Sequence, residues 1–180
     1  MNLILFGFKK CGKTYYGLRL SSRMHMRFID TDLLIEELYY KKHHQELCCR
    51  EISLKHGVPF FRNLEQEVIS SFAQIDDAVI SLGGGAVLDP KNVEYLQKMG
   101  TLVYLRADRE TLKYRILTGE LPSYFDVDNP IKSFEKIYEE RLPIYEKVKA
   151  YCIDTENKDE TEVIQSLKEL IESVRRSHGK

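Results

Sequence analysis

Residues 3–14 read LILFGFKKCGKT. A run of four apolar residues leads directly into two glycines, three lysines and a threonine, and Gly7, Gly12, Lys13 and Thr14 fit the pattern GxxxxGK(S/T). Glycines at these positions let successive backbone N–H groups turn toward phosphate oxygens. The lysine reaches the outer phosphates, and the threonine hydroxyl stands where it can ligate magnesium. A helix starting near Lys13 adds the positive end of its dipole. The stretch is expected to be a strand, a nucleotide-phosphate loop and a helix, in that order.

Outward from this loop, short apolar runs alternate with longer segments of helical period, the signature of repeated βαβ units. Candidate strands are NLILF (2–6), MRFI (26–29), AVISL (78–82), TLVYL (101–105) and YCI (151–153), with helices expected at about 13–22, 31–41, 59–73, 89–98, 108–118, 131–148 and 160–175. The expected fold class is α/β, three αβα layers around a five-stranded parallel sheet. In the last helix Val163, Ile164, Leu167, Leu170, Ile171 and Val174 recur at three and four residues, a face that packs on the sheet. One segment resists the pattern: TGELPSYFDVDNP (118–130) carries turn formers and little periodicity. A loop of that length in a compact domain suits a mobile lid on one domain spanning residues 1–180.

Composition restricts the partners. The 180 residues include 27 basic and 28 acidic side chains, a formal charge of −1, so nothing draws the whole molecule toward nucleic acid. No stretch approaches the apolar length of a membrane span, and the opening MNLILFGFKK has its charges after the apolar run, unlike a signal peptide. Cys11, Cys48, Cys49 and Cys152 form no CxxC pair. His43 and His44 lie near Cys48 and Cys49, but adjacent pairs point in different directions and suit zinc poorly. A cytoplasmic monomer is expected, and His43, His44 and the Cys48–Cys49 pair read as a solvated helix end.

Three further sites fall at the carboxyl ends of strands or on inward helix faces. FIDTD ends the second strand with Asp30 and Asp32 at the sheet edge where such folds bind ligands. Residues two apart on an extended stretch point the same way, so both could face the phosphates. For Asp32, capping the next helix is an equal alternative. SLGGG ends the third strand with Gly83, Gly84 and Gly85, which suits close approach of backbone to ligand or a plain tight turn. Arg62 precedes Glu65 by three residues and can be held by it, in a site or as a surface pair. Arg141 falls on the apolar stripe Phe134, Tyr138, Tyr145, Val148, and a buried cation there requires an anion, from the protein or from a ligand.

The phosphate loop GFKKCGKT, FIDTD, FFRNLE, SLGGG and ERLPIY, in this order across nearly the whole chain, resemble the shikimate kinases. The resemblance implies the P-loop kinase fold of the nucleoside-monophosphate-kinase type. It also implies transfer of the ATP γ-phosphoryl group to the 3-hydroxyl of shikimate, on the route to chorismate and the aromatic amino acids. By the same resemblance Gly7, Lys10, Cys11, Gly12, Lys13, Thr14, Tyr15 and Arg115 bind ATP, with the loop after residue 153 bordering the adenine. Thr14 and Asp30 hold Mg2+. Asp32, Arg62, Gly83, Gly84 and Arg141 bind shikimate, the two arginines through its carboxylate, and Lys13 and Asp32 are catalytic.

Two departures stand out. Where the family usually has an arginine before the lid proline, this chain reads ELPSYF, with Leu121 in the arginine's place. Either another cation serves, Arg115 or Lys113 being the expected candidates, or the chain is a weakly active or non-catalytic binding protein. Val58 stands where glutamate is common and is expected to affect only helix entry. A GTP-binding switch would share the loop but needs DxxG and NKxD segments, and neither is present. A nucleoside-monophosphate kinase or a gluconate-type kinase shares the fold, whereas paired arginines favour a carboxylated acceptor.

Overall fold

The computed structural model describes residues 1–178. Five strands, β1 (Asn2–Phe6), β2 (Arg27–Asp30), β3 (Ala78–Ser81), β4 (Gly100–Arg106) and β5 (Tyr151–Asp154), form one parallel sheet in the order β2-β3-β1-β4-β5. Every residue of β1 and β3 is buried, which is why these central strands read as apolar runs broken only at their ends, by Asn2 and Ser81. β2 and β5, at the edges, alternate with exposed residues.

Eight α-helices cover the two faces: α1 (Lys13–Met24), α2 (Thr31–His43), α3 (Cys49–His56), α4 (Val58–Ser70), α5 (Pro90–Met99), α6 (Arg109–Leu117), α7 (Pro130–Lys147) and α8 (Glu160–His178). α1 packs with α8 on one side, and α4 packs with α2, α3 and α5 on the other. The stripe expected on the last helix is core: Val163, Ile164, Leu167, Ile171 and Val174 are buried. At about 1.5–3 kcal/mol for each fully buried aliphatic side chain, this face does much to fix the helix against the sheet.

The expected elements are present within a few residues, with one omission. The solvated helix end expected for His43, His44, Cys48 and Cys49 is present at His43 and His44, the exposed end of α2, and at the exposed Cys48, whereas α3, which begins at the half-buried Cys49, is not foreseen. It is only eight residues long and buries only Ile52, so it lacks an apolar period to detect. Its boundaries do carry a signal: Glu51 accepts from the Cys48 N–H at 2.8 Å, and Gly57 follows its last turn at φ 84°.

Register brings the site together. Asp30 pairs with Ser81, and Ser81 with Leu5, so the ends of β2, β3 and β1 lie side by side at one sheet edge. The loop after β1 crosses that edge.

Candidate functional site

The loop between β1 and α1 is shaped by its own backbone. Gly7 (φ 145°) and Gly12 (φ 104°) adopt conformations that favour glycine, and a Cβ on Gly7 would stand 2.6 Å from the Leu105 carbonyl oxygen. Lys10 takes φ 68° without being glycine, a local strain of the kind that accompanies functional loops. Lys13 is buried and its Nζ donates to the carbonyls of Phe8 (2.8 Å) and Gly7 (3.1 Å). Cys11 turns its side chain into the core, and its N–H closes a turn onto Phe8. Thr14 Oγ1 donates to Asp30 Oδ2 at 2.8 Å and lies 3.2 Å from Ser81 Oγ. These oxygen donors on three adjoining segments suit a hard divalent cation such as Mg2+, which takes one or two carboxylates plus substrate phosphates and water.

Two cavities meet at this loop and share Lys10, Lys13 and Thr14. The larger, about 630 Å3, runs past Gly12, Tyr15, Tyr16, Arg115 and Glu160. Arg115 Nη1 donates to the Lys10 carbonyl at 3.2 Å, and Tyr15 hydrogen-bonds Glu160 through its hydroxyl. The smaller, about 200 Å3, lies between the ends of β2 and β3, α3, α4 and the lid, and contains Asp30, Asp32, Arg62 and the three glycines.

Asp32 lies in the second residue of α2, not on an extended strand, and the helix cap is Asp30, whose Oδ1 accepts from the Asp32 N–H at 3.0 Å. The chain turns helical at Thr31, whose buried hydroxyl accepts from Gly83 N–H at 2.8 Å, and this leaves the Asp32 carboxylate free to open onto the cavity. The protein packed around Asp32 raises its pKa, and the Asp30 charge raises it further. Lys13 and Lys9 oppose the rise. A carboxylate of raised pKa is a better proton acceptor than a free one.

Glu65 is almost wholly buried, and burial raises its pKa against the opposing charge of Arg62. Its Oε2 accepts from Arg62 Nη1 at 2.6 Å, while Oε1 is buried with no partner. The pair is therefore no surface ion bridge: Glu65 fixes the guanidinium over Gly85, where any Cβ would meet Arg62 Nη2 at 2.1 Å. Gly83 likewise keeps space open, since its Cβ would stand 2.7 Å from Asp32 Oδ1. Arg141 is buried as expected. Among the described residues it makes no ion pair, and it donates to the Tyr124 hydroxyl at 3.1 Å with its guanidinium carbon 4.5 Å from that ring's centre. Arg62 and Arg141 both lie near enough to Glu65 for their charges to act on it.

The lid covers this cavity with Pro122, Ser123 and Tyr124. Phe125 is buried, Arg50 Nε donates to the Leu121 carbonyl at 2.9 Å, and Ser123 donates to Ser53 at 3.0 Å. α3 therefore carries the lid's docking surface, and none of Lys9, Cys49, Arg50, Ser53 or Tyr124 was expected in the site. Cys49 donates to the Asp32 carbonyl, and burial, with the charges of Asp32 and Glu36, pushes its thiol pKa far up, so it lines the wall as an inert thiol. Val58 also borders the cavity, besides starting α4. Of the cations expected to replace the lid arginine, Lys113 is bound to Glu135 at 2.8 Å and borders neither cavity, and Arg115 belongs to the larger one.

Comparison with known proteins agrees with this geometry. The family model described as "Shikimate kinase" matches residues 9–172. A shikimate kinase of Caldanaerobacter subterraneus is 33% identical over 92% of this chain and 93% of its own length, and one of Thermodesulfovibrio yellowstonii is 33% identical over 99% and 98%. Among solved structures, shikimate kinase from Acinetobacter baumannii in complex with shikimate superposes with a TM-score of 0.82 at 28% identity, covering 96% of this chain and 93% of that one.

Proposed function

Since this chain belongs to the shikimate kinase family and phosphorylates shikimate with ATP as donor, we propose that its two cavities divide the reaction between them. ATP takes the larger cavity, with its phosphates on Gly7, Lys10, Cys11, Gly12, Lys13 and Thr14 and its base toward Tyr15 and Arg115. Shikimate takes the smaller one, where Arg62 holds its carboxylate, joined by Arg141 from the adjoining pocket behind Tyr124, Asp32 accepts its 3-hydroxyl, and Gly83 and Gly84 contact the ring hydroxyls. The observation that carries this placement is Arg141: a buried guanidinium without an ion-pair partner among the described residues calls for an anion from outside the chain, and Arg62 stands ready beside it.

Thr14 and Asp30 would hold Mg2+, which when bound neutralises charge on the β- and γ-phosphates. Lys13, released from the loop carbonyls, turns to the same oxygens. Asp32 takes the hydroxyl proton as the substrate oxygen bonds to the γ-phosphorus and the bond to the ADP oxygen breaks. The lid, residues 118–130, opens to admit shikimate and closes onto α3 to exclude water, which would otherwise be a competing acceptor. The chain acts as a monomer in the cytoplasm, a reading supported by its near-neutral charge and by four cysteines left as free thiols.

The test is ADP release coupled to a reporter enzyme, with shikimate, gluconate and AMP as acceptors. Turnover is expected with shikimate and Mg2+ and is expected to stop on chelation. Equal rates with AMP, which carries no carboxylate, would overturn the carboxylate clasp, and equal rates with gluconate, which lacks the ring, would overturn the positioning of a ring hydroxyl at Asp32.

A further inference from the structure

The lid of this chain has three acidic residues, Glu120, Asp126 and Asp128, and neither lysine nor arginine anywhere in 118–130. The charge that develops on the transferring phosphoryl group must therefore be met from the walls of the smaller cavity. Its cations differ in how they are engaged. Arg62 is bound to Glu65, Arg50 is bound to the Leu121 carbonyl and lies 3.7 Å from Glu120, and Lys13 is the phosphate-loop lysine. Lys10 is exposed, with its Nζ toward Gly119 where the lid begins. Lys9 is half-buried and its side chain forms no hydrogen bond or ion pair with the described residues. Its backbone N–H lies against Gly84, the ideal Cβ of which would stand 3.3 Å from Lys9 N, so the loop is pressed onto the turn that ends β3. The side chain borders both the smaller cavity and the small pocket beneath Tyr124 and Arg141.

We propose that Lys9 is a further catalytic residue, whose ammonium contacts the γ-phosphoryl group in transit from the ADP oxygen to the substrate hydroxyl oxygen. The proposal rests on the placement of ATP and shikimate given above. The phosphorus must travel between the phosphate loop and the hydroxyl held at Asp32, and Lys9 belongs to that loop and lines the cavity that holds both Asp32 and Lys13. Lys9 remains protonated throughout and takes no part in the proton's transfer from the hydroxyl to Asp32. It stabilises charge that is greatest in the transition state, so its loss is expected in kcat and not in KM.

The experiment is steady-state kinetics of the full chain and of Lys9→Met, Lys9→Arg and Arg50→Ala, with melting temperatures to verify folding. The parent enzyme comes first: without shikimate turnover the placement of the substrates fails, whatever Lys9 does. With turnover established, Lys9→Met is expected to lower kcat about 10²- to 10³-fold, the scale for losing one preorganised donor, with both KM values within a few fold. Lys9→Arg should restore most of the loss. A kcat within threefold of the parent overturns the proposal, as does a loss confined to the shikimate KM, or a kcat loss in Arg50→Ala that exceeds that in Lys9→Met.

Discussion

The phosphate loop and the acceptor cavity lie a few ångströms apart and are built on opposite plans. The loop is one continuous stretch, turned by Gly7 and Gly12, and its lysine is satisfied by the loop's own carbonyls. The cavity takes its walls from the ends of two strands, from α2, α3 and α4 and from the lid, and the charges in and behind it are poorly satisfied: among the described residues Glu65 Oε1 lacks a hydrogen-bond partner, and Arg141, in the adjoining pocket behind Tyr124, has only tyrosines, Tyr124 and Tyr145. A site for a common nucleotide can be encoded locally because backbone N–H groups do the binding. A site for one particular acid requires charges held in place by tertiary packing, and those charges await the ligand.

This contrast can be broken by separating the two halves kinetically. The largest effect is expected from Asp32→Asn, which keeps shape but cannot take the proton: kcat should fall about 10²- to 10⁴-fold, with ATP binding by calorimetry unchanged. Weakened ATP binding would mean that Asp32 serves the loop and not the acceptor. Next comes Arg62→Ala, expected to raise the shikimate KM about 30-fold or more, the equivalent of roughly 2 kcal/mol for truncating one partner of a buried charged pair. The ATP KM should change only a few fold, and parallel changes in both would remove the division of labour.

The smallest effect sharpens the comparison through stability. The folded-state pKa values of both Asp32 and Glu65 are raised, Asp32 by the protein packed around it and the charge of Asp30, Glu65 by its burial. A raised carboxyl binds its proton more tightly in the folded state, so its contribution to stability is complete below the unfolded value near 4 and is lost as pH rises through the folded value. Asp32→Asn carries no charge at any pH. Its melting temperature relative to the parent should therefore increase as pH rises above about 4, by about 2–4 °C for each kcal/mol relieved. A difference independent of pH would show that Asp32 is not under electrostatic strain.

Much of the fold was legible because buried parallel strands leave a clear trace: NLILF and AVIS are apolar at all positions but one each, Asn2 and Ser81, and each is buried at every position. Of the site, the loop, Asp30, Arg62 and Arg141 could be picked out from motif and helix period. Asp32 was picked out for an incorrect reason, since the chain turns helical at Thr31 and Asp30 does the capping. α3 escaped because a two-turn helix with one buried residue has no period, and with it went Arg50 and Ser53, which hold the lid through contacts 71 and 70 residues away in the chain.

By itself, then, the chain's order of residues settled what depends on neighbours: where strands run, where a phosphate can be cradled, and which helix face turns inward. Folding in three dimensions decided which charges face one another. The Arg62–Glu65 pair came to stand over Gly85, Tyr124 came to rest on Arg141, and Lys9, one of three lysines in its loop, was pressed against Gly84 at the mouth of the cavity. The reason is physical: backbone conformation follows from local sterics and hydrogen bonds, whereas electrostatic fields depend on distances between segments that only packing establishes.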